Sequence, residues 1–484
     1  MPNSKHREQE STLTLGDTPN IQKVSLGKWQ GERQGTTECF YGVRYARLAH
    51  PTQPRSVPVG ESNQIAVDDL TEVPIFPQLP SRLEKVLGKN GRKNPQTDDA
   101  FYLNVWKPVD GQGLPVIVFI HGGAWITGGG AMAWYRGQRL AGDGAVVITL
   151  NYRLGPAGHF APDDWPNSQA HRPFEDILLA LRWVQNHVRE FGGDETKVTL
   201  AGQSAGAWYT WALSSLPEAR GLFQQAALFS IPEIAPWTYE ERQVFTHRAL
   251  SFVSDDEVRD GAELLMYGGI SALKEIPAAL GAIPTMYMPM LTGRHREMLA
   301  NAHTAIESSH VGAYYVRKTP HEMSVFLPWD SSRAESNTPL LRALRERLGD
   351  QQAPKFFPLA NWDAAYNESV GLASWFAFGR FSDAIVAAAA ERGIKAVNRT
   401  FVAISGYPRF GAVHCIDLPF QFGNMDDWND APMLQGWLAE DFEDLSAEIR
   451  ADLLAFASGE AMVSNKIMGT AYSAIEQLNT SGNG

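Results

Sequence analysis

The 484-residue chain predicts an α/β protein built on a largely parallel sheet with helices on both faces. Three observations predict it. Leu114–Ile120 and Ala145–Leu150 are continuous apolar runs of the length and β-branched content that strands buried on both faces need. From Asp98 onward such runs alternate with helical stretches, among them Phe174–Phe191, where Ile177, Leu178, Leu181, Val184 and Val188 share one face. Finally, the apolar run ending at Ala201 passes straight into Gly202-Gln203-Ser204-Ala205-Gly206, a tight turn opening a breaker-free helix over Trp208–Leu216.

Composition bounds the rest. With 44% hydrophobic residues and 14 tryptophans, the chain can bury a large core and still line a pocket with aromatics. A formal charge of -12, with no Lys/Arg cluster against it, disfavours nucleic acid and anionic membranes as partners. Cys39 and Cys415 are too few for a disulfide framework and lack metal-type spacing, which fits a reduced compartment. Met1 to Asn20 is polar, and no run approaches the ~18 apolar residues of a membrane span, so a cytoplasmic protein without a membrane anchor is expected.

In chain order, residues 1–22 read as a flexible tail and 23–484 as a single domain, since no linker, charge block or repeat divides them. Ile21 to Ala46 alternates apolar and polar residues around Gly27, Gly31 and Gly35, the pattern of an antiparallel ribbon at the sheet edge. Pro51 to Gln96 is Pro-rich and irregular, and a strand is expected within Asp98–Trp106. Leu114–Ile120 ends in His121-Gly122-Gly123-Ala124-Trp125, where glycines let backbone N–H groups point into a cavity. Gly192-Gly193-Asp194 stops the Phe174–Phe191 helix and leads into the strand before Ser204.

Ser204, exposed on a strand-to-helix turn between small neighbours, is the candidate nucleophile. Gly123, Ala124 and Ala205 are the candidate oxyanion donors.

Five segments strengthen this reading by occurring together and in order: Tyr102-Leu103-Asn104-Val105-Trp106, His121 to Trp125, Asn151-Tyr152-Arg153-Leu154-Gly155, Phe191 to Asp194, and Gly202 to Ala207. The chain thereby resembles the type-B carboxylesterases, the branch of the α/β hydrolases that also holds the cholinesterases. The resemblance runs from about residue 36 to about 425. It implies an α/β-hydrolase fold with a mostly parallel twisted sheet and a helical cap over an active-site gorge. The cap insertions are expected at 232–309 and 323–375, and the resemblance also implies a Ser-His-Glu triad.

The triad partners can also be sought by chain order, which in this fold runs nucleophile, acid, base. His247, His295, His303, His310, His321 and His414 follow Ser204. His414 alone follows both a strand-like run, Thr400–Ser405, and a Gly/Pro-containing loop, and His414 to Pro419 resembles the family's His-x-x-Glu-Leu-Pro segment. Glu322, just past the strand-like Val311–Val316, is the candidate acid, with Glu307 and Asp330 as alternatives; Met323 stands where the family usually has glycine.

Departures from the family narrow the substrate. Gln203 replaces the glutamate usual before the nucleophile in cholinesterases, and Lys85 to Thr97 holds no tryptophan, so choline esters are disfavoured. Ala100 replaces a family cysteine, and Phe229-Ser230-Ile231-Pro232 stands where Gln-Ser-Gly-Ser is common. Pro232 to Ser309 is rich in Met, Trp and Tyr, and Trp125, Gln203 and Trp237 are candidate pocket residues. The expected activity is hydrolysis of a small-molecule carboxylic ester through an acyl-enzyme, without metal or cofactor, by a monomer or homodimer. A carbamate or amide hydrolase with the same triad is the alternative. A non-catalytic relative is disfavoured because the candidate catalytic groups are all retained.

Overall fold

The apolar runs at the start of the α/β pattern become neighbouring strands at the centre of an eleven-stranded sheet in the computed structural model. The structure describes residues 21–50, 53–56, 64–160, 171–252, 262–275, 286–299, 301–327, 338–352 and 354–472. The sheet strands are β1 (Ile21–Leu26), β2 (Trp29–Gln34), β3 (Thr37–Arg44), β4 (Tyr102–Pro108), β5 (Leu114–Ile120), β6 (Val146–Leu150), β7 (Gly193–Gln203), β8 (Gln225–Phe229), β9 (Ala313–Lys318), β10 (Lys395–Phe401) and β11 (Asn465–Met468). A separate two-stranded hairpin pairs Ala46–His50 with Gln53–Ser56.

Spatially the order is β1-β2-β3-β4-β6-β5-β7-β8-β9-β10-β11. Pairs from β1 through β4 to β6 are antiparallel, and those from β6 to β11 are parallel. The Gly27 to Gly35 ribbon thus forms the antiparallel edge that its alternation predicts. Its first strand begins at Ile21, slightly inside the expected tail; residues 1–20 lie outside the described ones.

Every side chain of β5 from Val116 to Ile120 is buried, which requires cover on both sheet faces. Burying such Val, Ile and Phe side chains stabilises the fold by about 1.5–3 kcal/mol each. Helices Ala205–Ser215, Arg380–Glu391 and Ala439–Ala457 pack against the parallel half. The Phe174–Phe191 pattern forms a helix over Arg172–His187 that tightens into a 3-10 turn before Gly192.

One strand is misplaced by its apolar pattern. Thr400–Ser405 reads as a strand, yet β10 ends at Phe401, because its pairing with β9 starts at Lys395↔Ala313 and runs through polar positions. Arg399 can lie buried there because Asp452 takes its guanidinium at 2.8 Å. Among the described residues three small apolar clusters stand apart from the main core: one around Phe245, Met286 and Tyr287, one around Leu344, Leu372 and Phe376, and one around Leu359, Trp362 and Tyr366. Among the described residues no helix is long and apolar enough to cross a membrane.

Candidate active site

The end of β7 carries Ser204 at φ 55°, ψ -119°, a backbone conformation that costs about 1–3 kcal/mol and that only crowded surroundings maintain. The crowding is visible at its neighbours. A Cβ on Gly202 would come within 2.3 Å of the Gly206 oxygen, and one on Gly206 within 2.1 Å of the Ile120 oxygen, so neither position accepts a side chain. Ser204 N donates to Phe229 O at 2.8 Å, and helix Ala205–Ser215 starts immediately after.

The end of β5 leads into the glycine loop that carries the candidate backbone donors. Gly123 sits at φ 110°, followed by Ala124 and Trp125 in left-handed conformations, and this turns the Gly123 and Ala124 N–H groups away from the strand ladder. Among the described residues no acceptor takes either of these two N–H groups. The loop is pinned from several sides: Tyr152 Oη donates to His121 O at 2.9 Å, Gly155 N to Trp125 O at 2.7 Å, and Gln78 Nε2 to Gly128 O at 2.7 Å. Tyr152 and Gly155 belong to a segment anchored by the buried Arg153–Asp176 ion pair at 2.7 Å. Burial holds the His121 imidazole at a pKa of about 4, so it is neutral beside this loop.

Beyond β9, fully buried Glu322 accepts from Thr319 N at 2.9 Å through one oxygen and from His414 Nδ1 through the other. This fixes the imidazole tautomer, with Nδ1 the protonated nitrogen of the neutral ring and Nε2 able to accept a proton. Burial among Phe326 and Phe378 would lower the His414 pKa, but Cys415 and Glu322 outweigh it and hold it well above the ordinary histidine value. Of the alternative acids, Glu307 is exposed on helix Ala302–Ser308, and Asp330 lies outside the described residues.

Ser204 and His414 line one cavity of about 620 Å³, together with Gly123, Ala124 and Ala205. They are not hydrogen-bonded to each other here. Gln203 Nε2 lies 3.3 Å from His414 Nε2 and donates to Cys415 Sγ at 3.1 Å, occupying the imidazole edge that a serine hydroxyl would use. Catalytic hydrogen bonds often tighten only once substrate is bound.

Trp125 and Gln203 stand on the cavity wall; Trp237 does not. Its backbone pairs with Pro289 and Leu291, and its indole packs on Phe245 at 5.0 Å, so it serves the satellite core. From the Met-rich stretch it is Met286 that reaches the cavity, whereas Tyr267 is exposed.

The sequence reading missed Arg317. Its guanidinium, fully buried, donates to Asp417 at 2.6 Å, tying β9 to the residue three positions after His414. Its carbonyl accepts from Ser230 N at 2.7 Å. The available signal was an arginine in an otherwise apolar strand, which requires a buried carboxylate.

Comparison with known proteins follows this geometry. Residues 18–264 match the pattern of the Carboxylesterase family. The chain is 32% identical over 370 residues to phenmedipham hydrolase of Pseudarthrobacter oxydans, covering 72% of this chain and 71% of that protein. It is 33% identical over 223 residues to para-nitrobenzyl esterase of Bacillus subtilis (strain 168), covering 44% of each. A solved PNB esterase superposes with a TM-score of 0.71 at 24% identity, covering 91% of both chains, and shows the same fold.

Proposed function

Because the chain belongs to the carboxylesterase family and is a carboxylic ester hydrolase, we propose that Ser204, His414 and Glu322 are its triad and that the N–H groups of Gly123, Ala124 and Ala205 form its oxyanion hole. The observation that carries the assignment is the buried Glu322–His414 hydrogen bond in the cavity where Ser204 stands on its strained turn.

In the reaction, an ester carbonyl entering the cavity is polarised by the three N–H groups, each worth about 3–4 kcal/mol of barrier. His414 Nε2 leaves Gln203, takes the Ser204 proton as the hydroxyl attacks, and is stabilised as imidazolium by Glu322. The tetrahedral adduct collapses, His414 protonates the departing alcohol, and an acyl-Ser204 ester remains. Water, deprotonated by His414, attacks this acyl group and releases the acid with Ser204 restored. The likeness to phenmedipham hydrolase favours a second substrate type, carbamates, handled by the same groups.

A fluorophosphonate probe tests the assignment. It should label Ser204, and Ser204→Ala should lose labelling and turnover of p-nitrophenyl hexanoate while keeping its thermal transition. Labelling at another serine, or full turnover by the variant, refutes it. Two free, buried cysteines support a cytoplasmic location. Residues 232–309 and 323–375 are proposed to cap a single domain that works as a monomer or homodimer.

A further inference from the structure

Near Ser204 the cavity lining holds no carboxylate among the described residues; Gln203, His414 and the glycine loop stand there with the apolar Trp125, Ile126 and Met286. Towards solvent the charge changes. Arg82, Lys85 and Lys89 line the cavity, and Glu84 is the single carboxylate beside them among the described residues. Sequence explains the concentration: Arg82 to Lys93 holds Arg82, Lys85, Lys89, Arg92 and Lys93 against Glu84 alone, in a chain of net charge -12. This stretch corrects the expectation of a chain without a Lys/Arg cluster, which the net charge of -12 conceals.

Lys85 and Lys89 are exposed and hold no ion pair among the described residues. Asp430, behind this stretch, is engaged by backbone: it accepts from the N–H groups of Lys89 and Asn90 and is not part of the cavity wall. An apolar cleft with cations on one wall focuses positive potential onto whatever enters it. A protein this acidic should otherwise repel anions.

The geometry points to a substrate class. Resting on the esterase reading above, we propose that this site takes esters carrying a carboxylate remote from the scissile bond, with Lys85 and Lys89 holding that carboxylate while the ester carbonyl lies at Ser204. The neutral Gln203 is the second half of the device, since a glutamate there would oppose the negative charge that the lysines attract.

Matched substrates test this. On the acyl side, the p-nitrophenyl monoester of adipic acid is compared with p-nitrophenyl hexanoate; on the alcohol side, the hexanoate ester of 4-hydroxybenzoate with that of 4-hydroxybenzamide. At low ionic strength the charged member of at least one pair should show the higher kcat/KM, chiefly through KM. Lys85→Gln/Lys89→Gln should lower that anionic-to-neutral ratio by about tenfold or more, the scale expected for two unit-charge interactions near 4 Å in water-like dielectric. High salt should lower it too. Lys93→Gln, which removes a nearby cation outside the cavity wall, should leave the ratio in place.

Neutral esters preferred in both pairs, or a ratio unmoved by the double substitution, overturns the proposal while leaving the esterase assignment standing. Absence of turnover of every ester, together with no fluorophosphonate labelling of Ser204, would remove that assignment instead, and the proposal with it.

Discussion

His321 Nδ1 accepts the backbone N–H of Ala412 at 2.9 Å, and His321 N donates back to Ala412 O at 3.2 Å. This ladder joins the Glu322 loop to the His414 loop, one residue before Glu322 and two before His414. The second ring nitrogen donates to Phe357 O at 2.7 Å, so the imidazole is satisfied only when neutral, and burial pushes its pKa down to about 4. His321→Ala leaves the Ala412 N–H buried without its acceptor, at a cost of about 1–3 kcal/mol. Urea unfolding should show that loss, and kcat should fall more than KM changes, because the loops that set the Glu322–His414 geometry are no longer laced.

Stability should decline with acid below the ordinary histidine range. His121 and His321 at about 4 and His159 at about 3 stay neutral in the folded chain while their unfolded counterparts charge near pH 6.5. The unfolded state therefore binds more protons in that window, and folding free energy is lost as pH falls from about 6.5 towards 4. Thermal transitions measured across this range check it; a flat profile would contradict the buried neutral histidines.

As the proposed base, His414 acts only when deprotonated, and its pKa is held above the ordinary histidine value. The acid limb of kcat/KM should thus lie above pH 6.5. Gln203→Glu places a second carboxylate against the imidazole and should move that limb further towards alkaline pH. An amide can offer nitrogen to neutral imidazole and, after a half-turn, oxygen to imidazolium; a carboxylate favours only the second. Initial rates on a neutral ester from pH 5 to 10 would show the displacement.

Breaking the Arg317–Asp417 pair should cost about 3–5 kcal/mol, since either substitution leaves a buried charge alone. Arg317→Met and Asp417→Leu should each unfold at lower urea, and the double variant should recover much of the loss while remaining slower than the parent. Recovery without any kinetic defect would restrict the pair to a structural role.

The central strands, the Ser204 turn and the glycine loop were legible because each is encoded locally, by an apolar run and the small residues after it. What escaped was set by partners distant in sequence. The end of β10 depends on its register with β9, and the path of Trp237 depends on a bridge to Met290. Arg317 needed Asp417, a hundred residues away, before its place in a strand made sense. The cationic wall escaped for a different reason: a whole-chain charge averages away the few residues that meet the cavity.

Ser204, Glu322 and His414 follow three different strands, β7, β9 and β10, with 210 residues between the first and the last. With these three as the proposed triad, a chain still emerging from the ribosome carries an inert alcohol, since the group proposed to accept its proton has yet to be synthesised. Neighbouring metabolites are spared until translation has passed residue 414 and the late strands have docked.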